Sequence, residues 1–262
     1  MDKCIAFFLL LSAVFYNHSQ AQQTPFIQSG KIVFERQVNT FAALPIFLRE
    51  TGQVPEDQIP TFMEQYRSSA PQFWKDSFEL YFDKAYSMYQ PKNKDIEFSK
   101  TFAIPFCFKN RVYTDFTKQE TISEKFLAEK NVYTKDSTRR IKWKLTDETR
   151  EIAGFQCHRA NAIIMDSIYL VAFYTDQILT RSGPESLTGL PGMILGVALP
   201  HQHLTIFATK VYEQKNDNSQ WSIPEATSKN PYISREAFNT MAKGLLKQYN
   251  LTSLWVQSFM EL

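Results

Sequence analysis

A mainly β protein of the α+β kind is the fold class this sequence predicts: a curved, largely antiparallel sheet, tending toward a half-open barrel, with a few covering helices. Three observations predict it. Apolar and polar residues alternate through a long series of short segments separated by turn residues. Aromatic residues make up 15% of the 262, with 22 Phe and 12 Tyr, which favours strands. Only two stretches, near 56–68 and 234–249, carry helical spacing, so the pattern is a meander rather than a βαβ series.

The elements follow in order. "GKIVFERQV" (30–38) sets Ile32 and Phe34 on one side and Lys31, Val33 and Glu35 on the other, and reads as a first strand. In 40–75 the period changes. Ile59, Phe62, Met63 and Tyr66 fall at helical spacing behind an acidic start, which predicts a helix over 56–68 with Pro60 in its first turn. Period two returns through Phe78, Leu80 and Phe82, and the stretch 100–131 stays strand-like. Ile141, Trp143 and Leu145 alternate with Lys142 and Lys144, "TDET" marks a turn, and Gly154 precedes a strand over 155–164. Asp166-Ser167 turns into a strand over 168–175. Ser234 is placed to cap a final helix with Phe238, Met241 and Leu245 on one face, and "LTSLWVQSF" either extends that helix or packs as a tail.

Residues 1–21 read as a signal peptide rather than as part of the fold. Lys3 supplies the positive charge, 5–16 the apolar run, and Ser19-Gln20-Ala21 a cleavage site after Ala21. Export is therefore expected, with Cys4 lost and no later segment apolar enough to span a membrane. The remaining cysteines, Cys107 and Cys157, either form a disulfide or stay as buried thiols. A formal net charge of +2 removes the electrostatic case for a nucleic-acid partner.

Half of the eight glycines, Gly183, Gly189, Gly192 and Gly196, lie in "SGPESLTGLPGMILG" (182–196). No Lys-Ser or Lys-Thr follows, and the spacing is not G-x-G-x-x-G, so a phosphate cradle is excluded. Gly183-Pro184 makes a bend, and Pro191-Gly192 fits the centre of a type II turn with positive φ at Gly192. The stretch is then either a rigid hairpin loop or an exposed recognition loop, and Gly196 marks a bulge or a close backbone approach.

The residues "GPESLTGLPGMILG" resemble the signature of the GLPGLI family of exported Bacteroidetes proteins, with Gly183, Pro184, Gly189, Leu190, Pro191 and Gly192 as its loop. "IKWKLTDETREIAGFQCHRA" and "VAFYTDQI" are similar to that family's preceding strands, and "GKIVFERQVN" and "ISREAFNTMAKGL" to its ends. Met193, Phe173, Gln177 and Leu179 depart from the pattern. The resemblance implies one domain over 22–262, a place in the periplasm or at the outer membrane, and no assigned activity.

The candidate chemistry is sparse. There is no G-x-S-x-G elbow and no H-E-x-x-H helix, and Cys157 and His158, adjacent on a strand, point to opposite faces, so a hydrolase lacks a coherent constellation. On a strand, His201 and His203 share a face, which is either solvated or a Zn or Cu site with His158 or Cys157 as third ligand. Phe78, Phe82, Tyr86 and Tyr89 either line a cavity for a small apolar ligand or form plain core. The expected function is a non-enzymatic binding or accessory factor of the cell envelope, without a cofactor, whose partner is an envelope protein or a small apolar ligand; metal binding is the alternative.

Overall fold

The computed structural model describes residues 26–92, 109–127, 130–164, 168–215, 222–248 and 254–262. The signal peptide, Cys107, the segment "TFAIPFCF" and the Asp166-Ser167 turn lie outside the described residues. Among the described residues eleven strands form one open antiparallel sheet: β1 (Gly30–Asn39), β2 (Phe73–Phe82), β3 (Tyr86–Pro91), β4 (Arg111–Asp115), β5 (Glu120–Leu127), β6 (Lys130–Ser137), β7 (Lys144–Ile152), β8 (Phe155–Ile164), β9 (Ile168–Thr175), β10 (Met193–Leu199) and β11 (Leu204–Glu213). Their order across the sheet is β6-β5-β4-β3-β2-β1-β11-β10-β9-β8-β7. Every sequential pair is hydrogen-bonded except β6 with β7, and β11 closes beside β1.

That order bends the sheet. Ten antiparallel pairings separate β6 from β7, an even number, so these two edge strands run in the same direction. No hairpin can join them. Residues 138–143 must instead carry the chain back along the length of a strand, from the end of β6 to the start of β7. Six residues reach roughly 20–25 Å when extended, little more than that strand length itself. The two edges are therefore held close together, and the sheet curls into an incomplete barrel with the crossover in its seam. Ile141 and Trp143, whose alternation predicts a strand, belong to this crossover.

Among the described residues four α-helices accompany the sheet: α1 (Thr40–Thr51), α2 (Ile59–Ser69), α3 (Arg235–Gln248) and α4 (Leu254–Glu261). α2 is the helix expected near 56–68, with Pro60 in its first turn. α1 is unexpected. It starts directly from β1, buries Ala43, Leu44, Phe47 and Leu48, and ends on Gly52 at φ 62°. Ser234 caps α3 as expected, its Oγ accepting from the Ala237 N–H at 3.1 Å. The buried face of α3 is Phe238, Ala242 and Leu246, whereas Met241 is 41% exposed. "LTSLWVQSF" packs as the separate helix α4, and Trp255 Nε1 donates to the His201 carbonyl at 2.8 Å.

Directly opposed residues share a face of a sheet, so the register maps the interior. From β1 through β11, β10 and β9 to β8 the inward residues Arg36, Ile206, Val197, Ala172 and Ala160 form one row, apolar after the first. Toward the other edge, the row Ile32, Leu80, Tyr89, Val112, Ser123, Thr134 turns polar. The next row, Phe82, Ser87, Thr114, Thr121, does the same. All of these residues are buried. The interior thus has an apolar half and a polar wall.

Phe78, Phe82 and Tyr89 fill this interior, with Phe78 and Tyr89 stacked at 4.9 Å between ring centres. Tyr86 lies on the opposite face and stacks on Tyr113, so the four aromatics do not line one cavity.

Candidate functional site

The polar wall needs polar partners, because a buried hydroxyl or charge is costly unless bonded. The glycine-rich stretch supplies them. Residues 182–188 and Leu190 are buried inside the curl, so this stretch is an interior plug rather than an exposed loop. Ser182 Oγ donates to Ser87 Oγ at 2.8 Å, and Thr180 Oγ1 to the Asp83 carbonyl at 2.7 Å. Ser186 Oγ donates to the Leu262 carbonyl at 3.2 Å. At the seam, Trp143 Nε1 donates to the Thr188 carbonyl at 2.9 Å and Thr188 Oγ1 to the Arg139 carbonyl at 3.4 Å. The crossover in the seam of the incomplete barrel is thereby fastened to the plug inside it.

The glycines explain how the chain gets in. Gly189 adopts φ 97°, and Gly192 has no left-handed φ, so the type II turn expected at Pro191-Gly192 is not formed. Gly192 is instead required by space. A Cβ there would lie 2.0 Å from the Thr175 carbonyl oxygen, and one at Gly183 would lie 2.7 Å from Ile194 Cβ. Gly196 sits at a register shift in β10, as its place inside a strand suggested, with a Cβ position 2.5 Å from the Phe207 ring.

Glu185 is at the centre of the plug. It is 4% exposed, holds φ 57°, and accepts from Asn110 Nδ2 at 2.9 Å. Burial pushes its carboxyl above the usual range; the nearby Arg36 charge, the Asn110 bond and the charges of Lys125 and Arg139 oppose that push without cancelling it. Arg36, inward on β1, pairs with Asp76 of β2 at 2.8 Å, and Lys109 Nζ lies 3.8 Å from the same carboxylate. The Tyr89 hydroxyl is buried here without a hydrogen-bond partner. Its acidity is suppressed, first by burial and then by the Glu185 charge. Together these groups make a closed, highly charged centre in which one carboxyl is biased toward its protonated form.

This cluster is not among the candidates that the sequence offers. One signal was available: Arg36 is in phase with Ile32 and Phe34, and a charge on an apolar face needs a buried partner. The meeting of Asn110 with Glu185, 75 residues apart, leaves no local trace.

The sequence candidates lie elsewhere. Pro200–Gln202 form a 3-10 turn and His203 has φ 53°, so His201 and His203 are not on a strand and do not share a strand face. Burial, and then the neighbouring His201, lower the pKa of His203. His158 is exposed on β8, its ring 5.7 Å from that of Tyr174. No group of three or more His, Cys, Asp or Glu side chains that could hold a metal gathers among the described residues. Cys157 is a buried free thiol pushed up to about 12 by burial.

Known proteins share parts of this architecture. Residues 89–232, more than half of the chain, match the family described as "N-glycanase peptide, N-terminal domain". The crystal structure described as "Structure of PNGF-II in P21 space group" is similar with a TM-score of 0.51 at 16% identity, over 82% of this chain and 33% of that one. A second, "Structure of PNGF-II in C2 space group", gives a TM-score of 0.48 at 15% identity, over 74% and 29%. No curated protein matches. The chain thus spans about a third of the length of the PNGF-II structures.

Two expectations are corrected. The resemblance to GLPGLI proteins rested on the loop, its preceding strands and the two end motifs, and the family match covers the loop and those strands with a different family. The expected non-enzymatic accessory factor gives way as well, because the matched family takes its name from a glycan-releasing enzyme. The chain belongs to the family of N-glycanase amino-terminal domains.

Proposed function

We propose that this chain serves the enzymatic release of asparagine-linked glycans, as the amino-terminal part of an N-glycanase acting after export and cleavage behind Ala21. The observation that supports this reading is the family match over residues 89–232, which takes in the polar wall from Thr114 to Thr134, Asn110, the crossover and the plug with Glu185. The likeness to PNGF-II supports the fold alone. Among the described residues no helix is long and apolar enough to cross a membrane.

The hydrolytic step is not assigned to Glu185. A buried carboxyl biased toward its protonated form has the chemistry of a general acid, but a group this enclosed does not meet a glycoprotein. In this reading the charged centre holds the plug and the curled sheet in one shape, and the glycoprotein meets the outer surface.

The test offers the full chain a glycoprotein and its enzymatically deglycosylated form. Mass spectrometry follows loss of the glycan with conversion of the carrier asparagine to aspartate, and immobilised protein follows retention. Glycan loss, or retention of the glycosylated form alone, is expected. Equal behaviour toward both forms, with every glycan intact, overturns the reading.

A further inference from the structure

Over the first half of α3, beside the end of β6, runs an open groove of about 460 Å3 lined by Asp136, Arg235, Glu236, Asn239, Thr240 and Lys243. That volume lies in the range of small-molecule sites. Its two walls are tied together. The chain entering α3 follows the outer edge of β6, with the Ile233 N–H donating to the Tyr133 carbonyl and the Lys135 N–H to the Ile233 carbonyl, each at 2.9 Å. Asp136 Oδ2 accepts from the Arg235 N–H at 3.0 Å, and Arg235 Nη2 donates to the Ser137 carbonyl at 2.9 Å. A groove held in this way keeps its shape without a ligand, which removes part of the ordering cost of binding.

The lining selects a chemical class. Among the described residues every side chain that borders the groove is polar, and the carboxylates of Asp136 and Glu236 balance the cations of Arg235 and Lys243. Balanced charge favours neither an anion nor a cation. An apolar ligand would strip water from these groups without replacing its hydrogen bonds. A neutral polyhydroxyl ligand replaces them, because each hydroxyl both donates and accepts. The methylene stems of Arg235 and Lys243 suit the C–H faces of a sugar ring. Across the ridge of Glu236 and Thr240 lies a second hollow that takes in Met241, 41% exposed, an apolar surface for a methyl group.

We propose that the groove between α3 and β6 binds a neutral saccharide carrying acetamido groups. Arg235, Lys243 and the Asn239 amide donate to its hydroxyls, Glu236 accepts from them, and an acetamido methyl rests against Met241. The neutral polyhydroxyl class follows from the lining; the acetamido sugar, as found at the base of an asparagine-linked glycan, rests on the glycan-release reading above. The groove is then where this chain holds the glycan of a glycoprotein.

The test is a heteronuclear NMR titration of the full chain with N,N′-diacetylchitobiose, and with a disaccharide of galacturonic acid as the charged comparison. The neutral sugar should shift the amides of 235–243 saturably and bind more tightly than the acid. Thr240→Trp, which fills the groove from an exposed helix position, should weaken binding several-fold, whereas Lys247→Ala, on the same helix outside the groove, should not. Absent shifts, shifts centred elsewhere, a preference for the acid, or parental affinity in Thr240→Trp would each overturn the site. Where Thr240→Trp fails to fold, parental affinity in Lys243→Ala overturns it. The outcome separates from that of the function itself. A parent that retains only the glycosylated protein while 235–243 stay unshifted keeps the proposed function and loses this site. A parent that treats both glycoprotein forms alike, yet binds the disaccharide at 235–243, loses the function and keeps the saccharide site.

Discussion

Replacing Gly192 by alanine introduces one methyl group at a point where the neighbouring backbone leaves no room. The added Cβ would stand 2.0 Å from the Thr175 carbonyl oxygen, 2.8 Å from its carbon and 3.0 Å from Asp176 Cα. All three are main-chain atoms, so no side chain can rotate away. Relief requires moving β9 or the base of the plug, which also disturbs the Met193 N–H bond to the Ile178 carbonyl. Overpacking that shifts backbone costs about 1–3 kcal/mol, and the upper end applies here. With roughly 2–4 °C of Tm per kcal/mol for a chain of this size, a loss of about 3 kcal/mol lowers the Tm by roughly 6–12 °C. Gly244 is the internal control. It lies inside α3, and a methyl group added there would meet nothing within 4 Å, so Gly244→Ala should gain about 0.5–1 kcal/mol from helix propensity. Differential scanning calorimetry of the two variants beside the parent decides the matter. A Gly192→Ala protein melting with the parent would refute the close approach, as would equal losses in both variants.

Two further predictions concern the plug and the cap of α3. The folded-state carboxyl of Glu185 is raised above its ordinary value of 4.5, so the native state holds more proton than the unfolded chain. Its contribution to stability is complete below the ordinary value and is lost as pH rises through the raised one. Glu185→Gln keeps an acceptor for Asn110 and removes that decline, so the Tm difference between variant and parent should move in the variant's favour as pH increases; parallel Tm–pH curves would contradict it. Ser234→Ala removes the acceptor for the Ala237 N–H and should cost about 0.5–2 kcal/mol in urea unfolding, with a smaller value than that range showing α3 to be capped by other means.

Much of the fold was legible because one face of most strands is buried. Ile32 and Phe34 on β1, and Phe78, Leu80 and Phe82 on β2, alternate because the pleat alternates. The misreadings share a cause. Ile141, Trp143 and Leu145 alternate like a strand, yet the first two lie in the crossover, because the parity of eleven strands forces β6 and β7 into the same direction and no local pattern encodes parity. His201 and His203 alternate too, but Pro200 starts a 3-10 turn between β10 and β11. α1 escaped notice because it follows β1 without a spacer, lacks a side-chain cap and contains Pro45. The charged centre was hidden for a different reason: Arg36, Asp76, Asn110 and Glu185 come from four separated segments and acquire meaning only when the sheet curls.

The stretch holding half the glycines is an interior plug and not a surface loop, and the fold's other features depend on that placement. Hydrogen–deuterium exchange of the full chain tests it directly, with the Ala153-Gly154 hairpin tip, which has positive φ at both residues, as the exposed reference. A buried plug predicts that a peptide covering 182–190 exchanges as slowly as β10, on the timescale of global unfolding. Exchange of 182–190 as fast as the hairpin tip would contradict it.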